Sequence, residues 1–389
     1  MRVAAQAGRL AAAERDQQHG GGRMNGPLRG IHVNAWTTAT DWTLRRARPA
    51  LVKSLDWSPD WARAIREYDI RVFIIRKWAD DDSSLVPSPA AAAERLWRRF
   101  AADFGRMQAA LADTPATVYL ETPWNEVHQE TPDQLARLAE ANVRFVELAH
   151  TAGWKALVGN FSVTWPLVDH FPAFVPALAV ADGYSHHEYW MPGQLLPGEW
   201  TARAGLLYAT LPADCPRPPV YVTECGIDNV AGTRPPNQYG WRSYPRPDAA
   251  YVVELDAFAA SQPPSVAGLT VFNCGEVGTR WKSFELAESG PVADWLAAGP
   301  REWEDESGHE MPPAEEVPVS KTNPFGYIVG DGFVTKADEL GWVVLSDELY
   351  HDPADRSDPA RTAFSECFCD QGRLYYHAAT GVVAVPFAS

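Results

Sequence analysis

Two short stretches of the chain carry carboxylic acids where a buried strand would hand them to a cavity. "ATVYLETPWNE" runs apolar and then ends in Trp124, Asn125 and Glu126, and "PVYVTECG" does the same around Thr223 and Glu224. A lone glutamate at a strand end is usually solvated or ion-paired. Two of them delivered to one cavity can act as acid and nucleophile, one carboxyl protonated to release a leaving oxygen and the other ionised to attack carbon, as hydrolysis of a glycosidic bond with retention requires. A third stretch, "ADGYSHHEYW", offers His187 and Tyr189 on one face of a strand and Glu188 on the other.

The elements that must position these groups alternate along the chain. Strand-like runs fall at 29–36, 50–57, 70–78, 116–126, 155–163, 181–190, 219–226 and 268–275. Helical stretches separate them, several opened by a cap residue followed by proline, as at Ser58-Pro59, Ser88-Pro89 and Thr131-Pro132. Strand centres such as "VFII" are apolar throughout, which fits parallel strands covered on both faces. Over residues 27–300 this predicts an α/β chain folded as a (β/α)8 TIM barrel. A doubly wound open sheet is the alternative, but neither GxGxxG nor a P-loop follows the first strand. In a barrel the C-terminal ends of all strands converge on one mouth, so acids from the fourth and seventh strands face each other across it.

Surroundings then assign the roles. A tyrosine hydroxyl and an arginine near Glu224 keep it ionised, Asn125 donates to a sugar 2-hydroxyl, and crowding by Trp124 and a charged partner keeps a proton on Glu126. "WNE" on strand four, His187-Glu188-Tyr189 on strand six and "TECG" on strand seven resemble the clan A glycoside hydrolases, nearest to the family 5-like barrels of cellulase and mannanase type. The resemblance spans the barrel and not the tail. It implies a retaining glycosidase acting on a β-linked oligo- or polysaccharide, with no metal and no cofactor. Residue by residue it makes Glu126 the acid/base, Glu224 the nucleophile, Asn125 the 2-hydroxyl partner, Tyr189 the nucleophile's hydrogen-bond partner and His187 a wall of the site. Strand eight carries Phe272-Asn273-Cys274 where those barrels carry tryptophan, and Arg76 or Lys53 stands in for their arginine near strand two.

Trp36, Trp124, Trp190, Arg76, Asn273 and Glu276 complete the expected substrate-binding set. Glu121 is expected to pair inside the barrel with an arginine or lysine of a neighbouring strand, Glu188 to be structural, and Asp182 and Asp228 to serve turns or caps. A catalytically impaired barrel that only binds carbohydrate is a second reading. A metal-dependent barrel hydrolase is a third, opposed by the first strand, which offers His32-Val33-Asn34 instead of an HxH pair.

Bulk properties narrow the partners. The chain's 389 residues suit one large barrel and something small. Its net charge of −16 builds no attraction for nucleic acid, and its 16 tryptophans suit stacking on sugar rings. Five scattered cysteines give no readable disulfide framework. No apolar run reaches the roughly 18 residues of a membrane span. The N-terminal stretch is interrupted by Gln6, Arg9, Glu14 and Arg15, so no secretory signal is read, and the expected location is the cytoplasm or outside by non-classical release. Met24 is an alternative start. Residues 1–26 read as a disordered leader, 301–322 as an acidic linker, and 323–389 as a small β-rich domain.

Overall fold

The computed structural model describes residues 26–77, 88–127, 130–229, 236–278, 280–287 and 289–300, with four short strands beyond residue 348. The chain divides between Glu306 and Ser307 into two units. In the first, eight parallel strands close into a barrel in chain order: β1 (Leu28–Val33), β2 (Leu51–Ser54), β3 (Val72–Arg76), β4 (Thr117–Glu121), β5 (Lys155–Phe161), β6 (Gly183–Trp190), β7 (Val220–Ile227) and β8 (Val266–Cys274). This is the (β/α)8 barrel that the alternation predicts. Around it run α1 (Thr38–Ala47), α2 (Asp60–Tyr68), α3 (Pro89–Leu111), α4 (Pro132–Thr151), the short α5 (Val175–Leu178), α6 (Arg203–Ala209), α7 (Asp248–Ala260) and α8 (Gly290–Ala297). No described helix is long and apolar enough to cross a membrane.

Local chemistry starts these helices. Ser88 accepts from Ala91 N ahead of Pro89, and Thr131 with Gln134 forms a reciprocal capping box ahead of Pro132. The sequence pattern hides α1, because Thr38, Thr40 and Thr43 are weak helix formers. Thr37 nonetheless caps it by accepting from Thr40 N. Between β5 and β6 a 3-10 turn over Val168–Phe174 leads into α5, with Pro172 inside it and Pro176 at the start of α5.

The two-residue strand period builds the interior in layers. Leu51, Ile74, Tyr119, Leu157 and Tyr221 form an apolar plug at the N-terminal end of the barrel. Two residues further on, β2, β3 and β4 place Lys53, Arg76 and Glu121, at most 3 % exposed, where the plug gives way to charge. The larger core lies between the outer strand faces and the helices, where Trp61, Trp124, Trp190 and Trp241 are buried. Glu188 belongs to that outer face. It accepts from Ala202 N at 2.7 Å and Arg203 N at 2.9 Å at the start of α6, and from Gln262 Nε2 at 3.0 Å. The structural role expected of it is therefore met.

In the second unit β9 (Leu349–Tyr350), β10 (Ser365–Cys369), β11 (Gly372–His377) and β12 (Gly381–Pro386) form an antiparallel sheet in the order β12-β11-β10-β9. The hairpin β11–β12 lies in the stretch "RLYYHAATGVVAVPF" and its preceding glycine. The expected strand pattern at 325–334, the leader at 1–26 except its last residue, Gly26, and the linker at 301–322 lie outside the described residues.

Glu188 gives the fold a pH signature. Burial pushes its carboxyl up to about 7, offset in part by its amide donors. The unfolded chain releases that proton near 4.5, so the stability contributed by the protonated folded form is complete below that pH and is lost as pH rises through 7. Urea unfolding of the wild type is expected to show a decline between about pH 5 and pH 8 that Glu188→Gln reduces; equal slopes in the two proteins would count against this origin.

Candidate active site

Glu224 on β7 is a buried acid, its residue 6 % exposed. Its Oε1 lies 3.0 Å from Lys53 Nζ and 3.1 Å from Arg76 Nη2. Its Oε2 accepts from the Tyr189 hydroxyl at 3.0 Å. Burial alone would raise its pKa, but His187, Lys53, His32 and Arg76 outweigh that and hold it well below the usual carboxylate range. The arginine and tyrosine expected beside it are both present, and Lys53 joins Arg76 instead of replacing it.

Glu121 sits below, fully buried, with Oε2 3.1 Å from Lys53 Nζ and 3.5 Å from Arg76 Nη1. This is the internal pair that an acid inside β4 calls for. Burial works to raise its pKa, and Lys53, Arg76 and His187 overcome it. Two buried cations thus meet two buried carboxylates. The network leaves no uncompensated charge among these four residues, which is what makes such groups tolerable away from water.

Glu126 stands on different ground. β4 ends at Glu121, so Glu126 belongs to the loop beyond it and not to the strand. Its φ is +52°, in the left-handed region that costs a non-glycine residue about 1–2 kcal/mol. Asn160 on β5 holds the loop in that shape. Its Nδ2 donates to Thr122 O at 2.7 Å and Trp124 O at 3.0 Å, and its carbonyl accepts from Glu126 N at 2.8 Å. Ser185 Oγ fixes the amide by donating to Asn160 Oδ1 at 2.6 Å. The Glu126 side chain is 35 % exposed, and its Oε1 lies 2.8 Å from His187 Nδ1. His187 Nε2 in turn is 3.5 Å from Glu224 Oε1, so the imidazole spans the two acids. A carboxylate oxygen of Glu126, one of Glu224 and a nitrogen of His187 all lie within 4.8 Å of one another. A divalent cation in that triangle would be repelled by Lys53 and Arg76, which already occupy Glu224 Oε1. The set fits a carboxyl pair better than a metal site.

The remaining expected residues divide. Glu276 reaches the mouth, where its Oε2 accepts from Asn34 Nδ2 at 3.0 Å. Gly275 makes that possible, since a Cβ there would lie 2.1 Å from Ala35 O. Glu285 secures the same loop by accepting from Gly275 N, Glu276 N and Ala287 N. Asn125 is half-buried, and its Oδ1 has no partner among the described residues. Asn273 is fully buried, with neither amide atom hydrogen-bonded among them. Two tryptophans need correcting. Trp124 is 1 % exposed and packs on Phe145 of α4, and Trp190 is wholly buried and stacked on Phe258 of α7, so neither presents a face to a sugar. His187 is the neighbour that touches the Glu126 carboxyl. Trp36 is half-buried, edge-on to Trp61 with Arg63 over its ring.

An aromatic wall comes from elsewhere. Tyr189, Phe272 and Phe284 form a buried cluster against which the partly exposed Val163, Tyr239 and Trp281 pack. Phe272 also lies 4.9 Å from His32, whose buried ring nitrogens have no hydrogen-bond partner among the described residues. Burial lowers the His32 pKa well below the usual imidazole value. Asp228, just past β7, is pushed up to about 7 by burial, with the charge of Glu126 adding to the rise. The sequence announces Lys53 as a charge inside an apolar strand; Asn160, Asp228 and Glu285 carry no such signal.

No protein-family model matches the chain, and no curated protein matches it in sequence. Solved structures similar to it include the GH39 enzyme from Xanthomonas axonopodis pv. citri, at 12 % identity and a TM-score of 0.45 over 70 % of this chain and 67 % of that one. A Cellulomonas fimi endo-beta-1,4-mannanase double mutant gives 14 % and 0.45 over 71 % of each chain. The catalytic domain of the Bacillus sp. JAMB-750 GH26 endo-beta-1,4-mannanase gives 12 % and 0.42 over 70 % of this chain and 85 % of that one. Likeness at this level decides nothing about chemistry, which rests on the geometry above.

Asn160→Ala removes both donors to the β4 loop at a left-handed position. It is expected to lower stability by about 2–4 kcal/mol in denaturant unfolding. An undiminished midpoint would mean that the loop is held by other contacts.

Proposed function

We propose that this chain is a retaining glycoside hydrolase that cleaves a β-linked oligo- or polysaccharide by double displacement. One observation carries the reading: glutamates of separate chain segments bring carboxylate oxygens within 4.8 Å of each other in opposite surroundings. Retaining enzymes hold their two carboxyl groups about 5–5.5 Å apart, whereas inverting ones need roughly 6.5–9.5 Å to admit a water between acid and sugar.

Glu224, buried and clamped by two cations, is the ionised partner. Its carboxylate attacks the anomeric carbon as the glycosidic C–O bond breaks, and the leaving oxygen takes the proton of Glu126. Water then attacks the same carbon. Glu126 accepts the water's proton, and the ester bond breaks with its electron pair returning to Glu224. Glu126 suits both proton transfers because it is partly exposed and oriented by His187. Asn125 serves the sugar 2-hydroxyl, Tyr189 steadies Glu224, and Glu276 marks the rim. Trp281 and Tyr239 offer the apolar faces that sugars stack on.

Glu126→Gln and Glu224→Gln are each expected to lower kcat/KM at least about a thousandfold on whichever substrate a screen of mannan, glucan, xylan and peptidoglycan fragments reveals, while remaining folded. A 2-deoxy-2-fluoro glycoside of that substrate should add its sugar mass to the peptide containing Glu224. Hydrolysis by both variants at the wild-type rate would refute the assignment. Because Glu224 must be ionised and its pKa is depressed, activity should persist as pH falls below 4.5. An acidic limb at or above that value would contradict the cation clamp.

A further inference from the structure

Lys53 and Arg76 each face two carboxylates, and only one of these belongs to the reaction proposed above. Lys53 Nζ is 3.0 Å from Glu224 and 3.1 Å from Glu121; Arg76 is 3.1 Å from Glu224 and 3.5 Å from Glu121. Both cations contact Glu224 at the same oxygen, Oε1, and both contact Glu121 at Oε2. Lys53, Arg76 and Glu121 are at most 3 % exposed, so water screens little of this. We propose that Glu121 is a positioning residue for Glu224: by sharing Lys53 and Arg76 with it, Glu121 sets how readily the Glu224 carboxylate attacks and how readily it leaves.

A carboxylate facing two uncompensated cations has its electron density drawn away. It becomes a weaker nucleophile and, once esterified to a sugar, a better leaving group. The negative charge of Glu121 gives part of that density back. Double displacement needs attack and departure in turn, so the third carboxylate decides the balance between them. The charged and titratable groups facing Glu224 are His32 from β1, Lys53 from β2, Arg76 from β3, Glu121 from β4, Glu126 from the loop after it, and His187 and Tyr189 from β6. Among these Glu121 alone is a fully buried carboxylate. An acid placed there merely to neutralise Lys53 would affect stability, and it would move the two half-reactions together.

The inference rests on the hydrolase reading for its kinetic consequence but not for its electrostatic one, and the two are tested separately. With carboxyl-13C glutamate, the NMR titration midpoint of Glu224 is expected to rise by about a pH unit or more in Lys53→Met and to move back at least halfway in Lys53→Met/Glu121→Gln. Since loss of a buried lysine can cost folding, the same cycle is run with Arg76→Gln in place of Lys53→Met. Identical midpoints with and without Glu121→Gln, in either folded background, overturn the proposal whether or not the protein hydrolyses anything. In the active enzyme, Glu121→Gln is expected to lower kcat/KM about tenfold and to speed hydrolysis of the trapped 2-fluoroglycosyl ester by a similar factor. Both rates falling together, or neither changing, would assign Glu121 a purely structural part. Midpoints that shift as expected in a protein without glycosidase activity would sink the hydrolase reading and leave the charge sharing intact.

Discussion

A charge taken out of water costs several kcal/mol unless an opposite charge meets it, and the upper barrel interior contains four such groups on four strands. Lys53, Arg76, Glu121 and Glu224 can be buried together only because their strands arrive in a register that brings each cation to both acids. Everything above them depends on that balance. The apolar plug of Leu51, Ile74 and Tyr119 gives the network a dry floor, and the outer core of tryptophans and phenylalanines keeps the strands from shifting under it.

The two acids of the site differ because the fold treats them differently. Glu224 is a strand residue whose position follows from barrel closure. Glu126 sits past a strand end in a backbone shape that needs Asn160, itself in the left-handed region at φ +57°, to hold it. The proposed nucleophile is thus fixed by the sheet, and the proposed proton carrier by a hydrogen-bonded loop with access to solvent. His187 joins the two at 2.8 and 3.5 Å, so a change of charge on one acid is felt at the other.

Much of this was legible in the chain. The barrel follows from eight apolar runs and the caps between them, and Glu224, Tyr189, Arg76 and His187 come together because a two-residue period and barrel closure leave them nowhere else to go. Glu121 and Lys53 were readable as charges inside apolar strands, which must find each other. Direction was carried only in part: the period that turns Glu188 outward also turns Trp190 outward, whereas the turn that sends Trp124 to the outer core follows a strand end and has no period. Trp124 and Trp190 lie beside site residues, yet alternation and the local turn send them into the outer core. Strand length was overstated as well: the run read at 116–126 goes on for five residues after the β4 ladder has stopped at Glu121. Asn160, an ordinary polar residue in "LVGNFSV", reveals its part only when two carbonyls of another segment come within reach of its amide.

In the loop after β8 two main-chain amides, Gly275 N and Glu276 N, converge on the Glu285 carboxylate. Neither contact uses the side chain of Val277, which is 80 % exposed. In the proposed hydrolase such a rim separates architecture from taste: the tip can be rewritten while the ion lattice of Lys53, Arg76, Glu121 and Glu224 stays as it was.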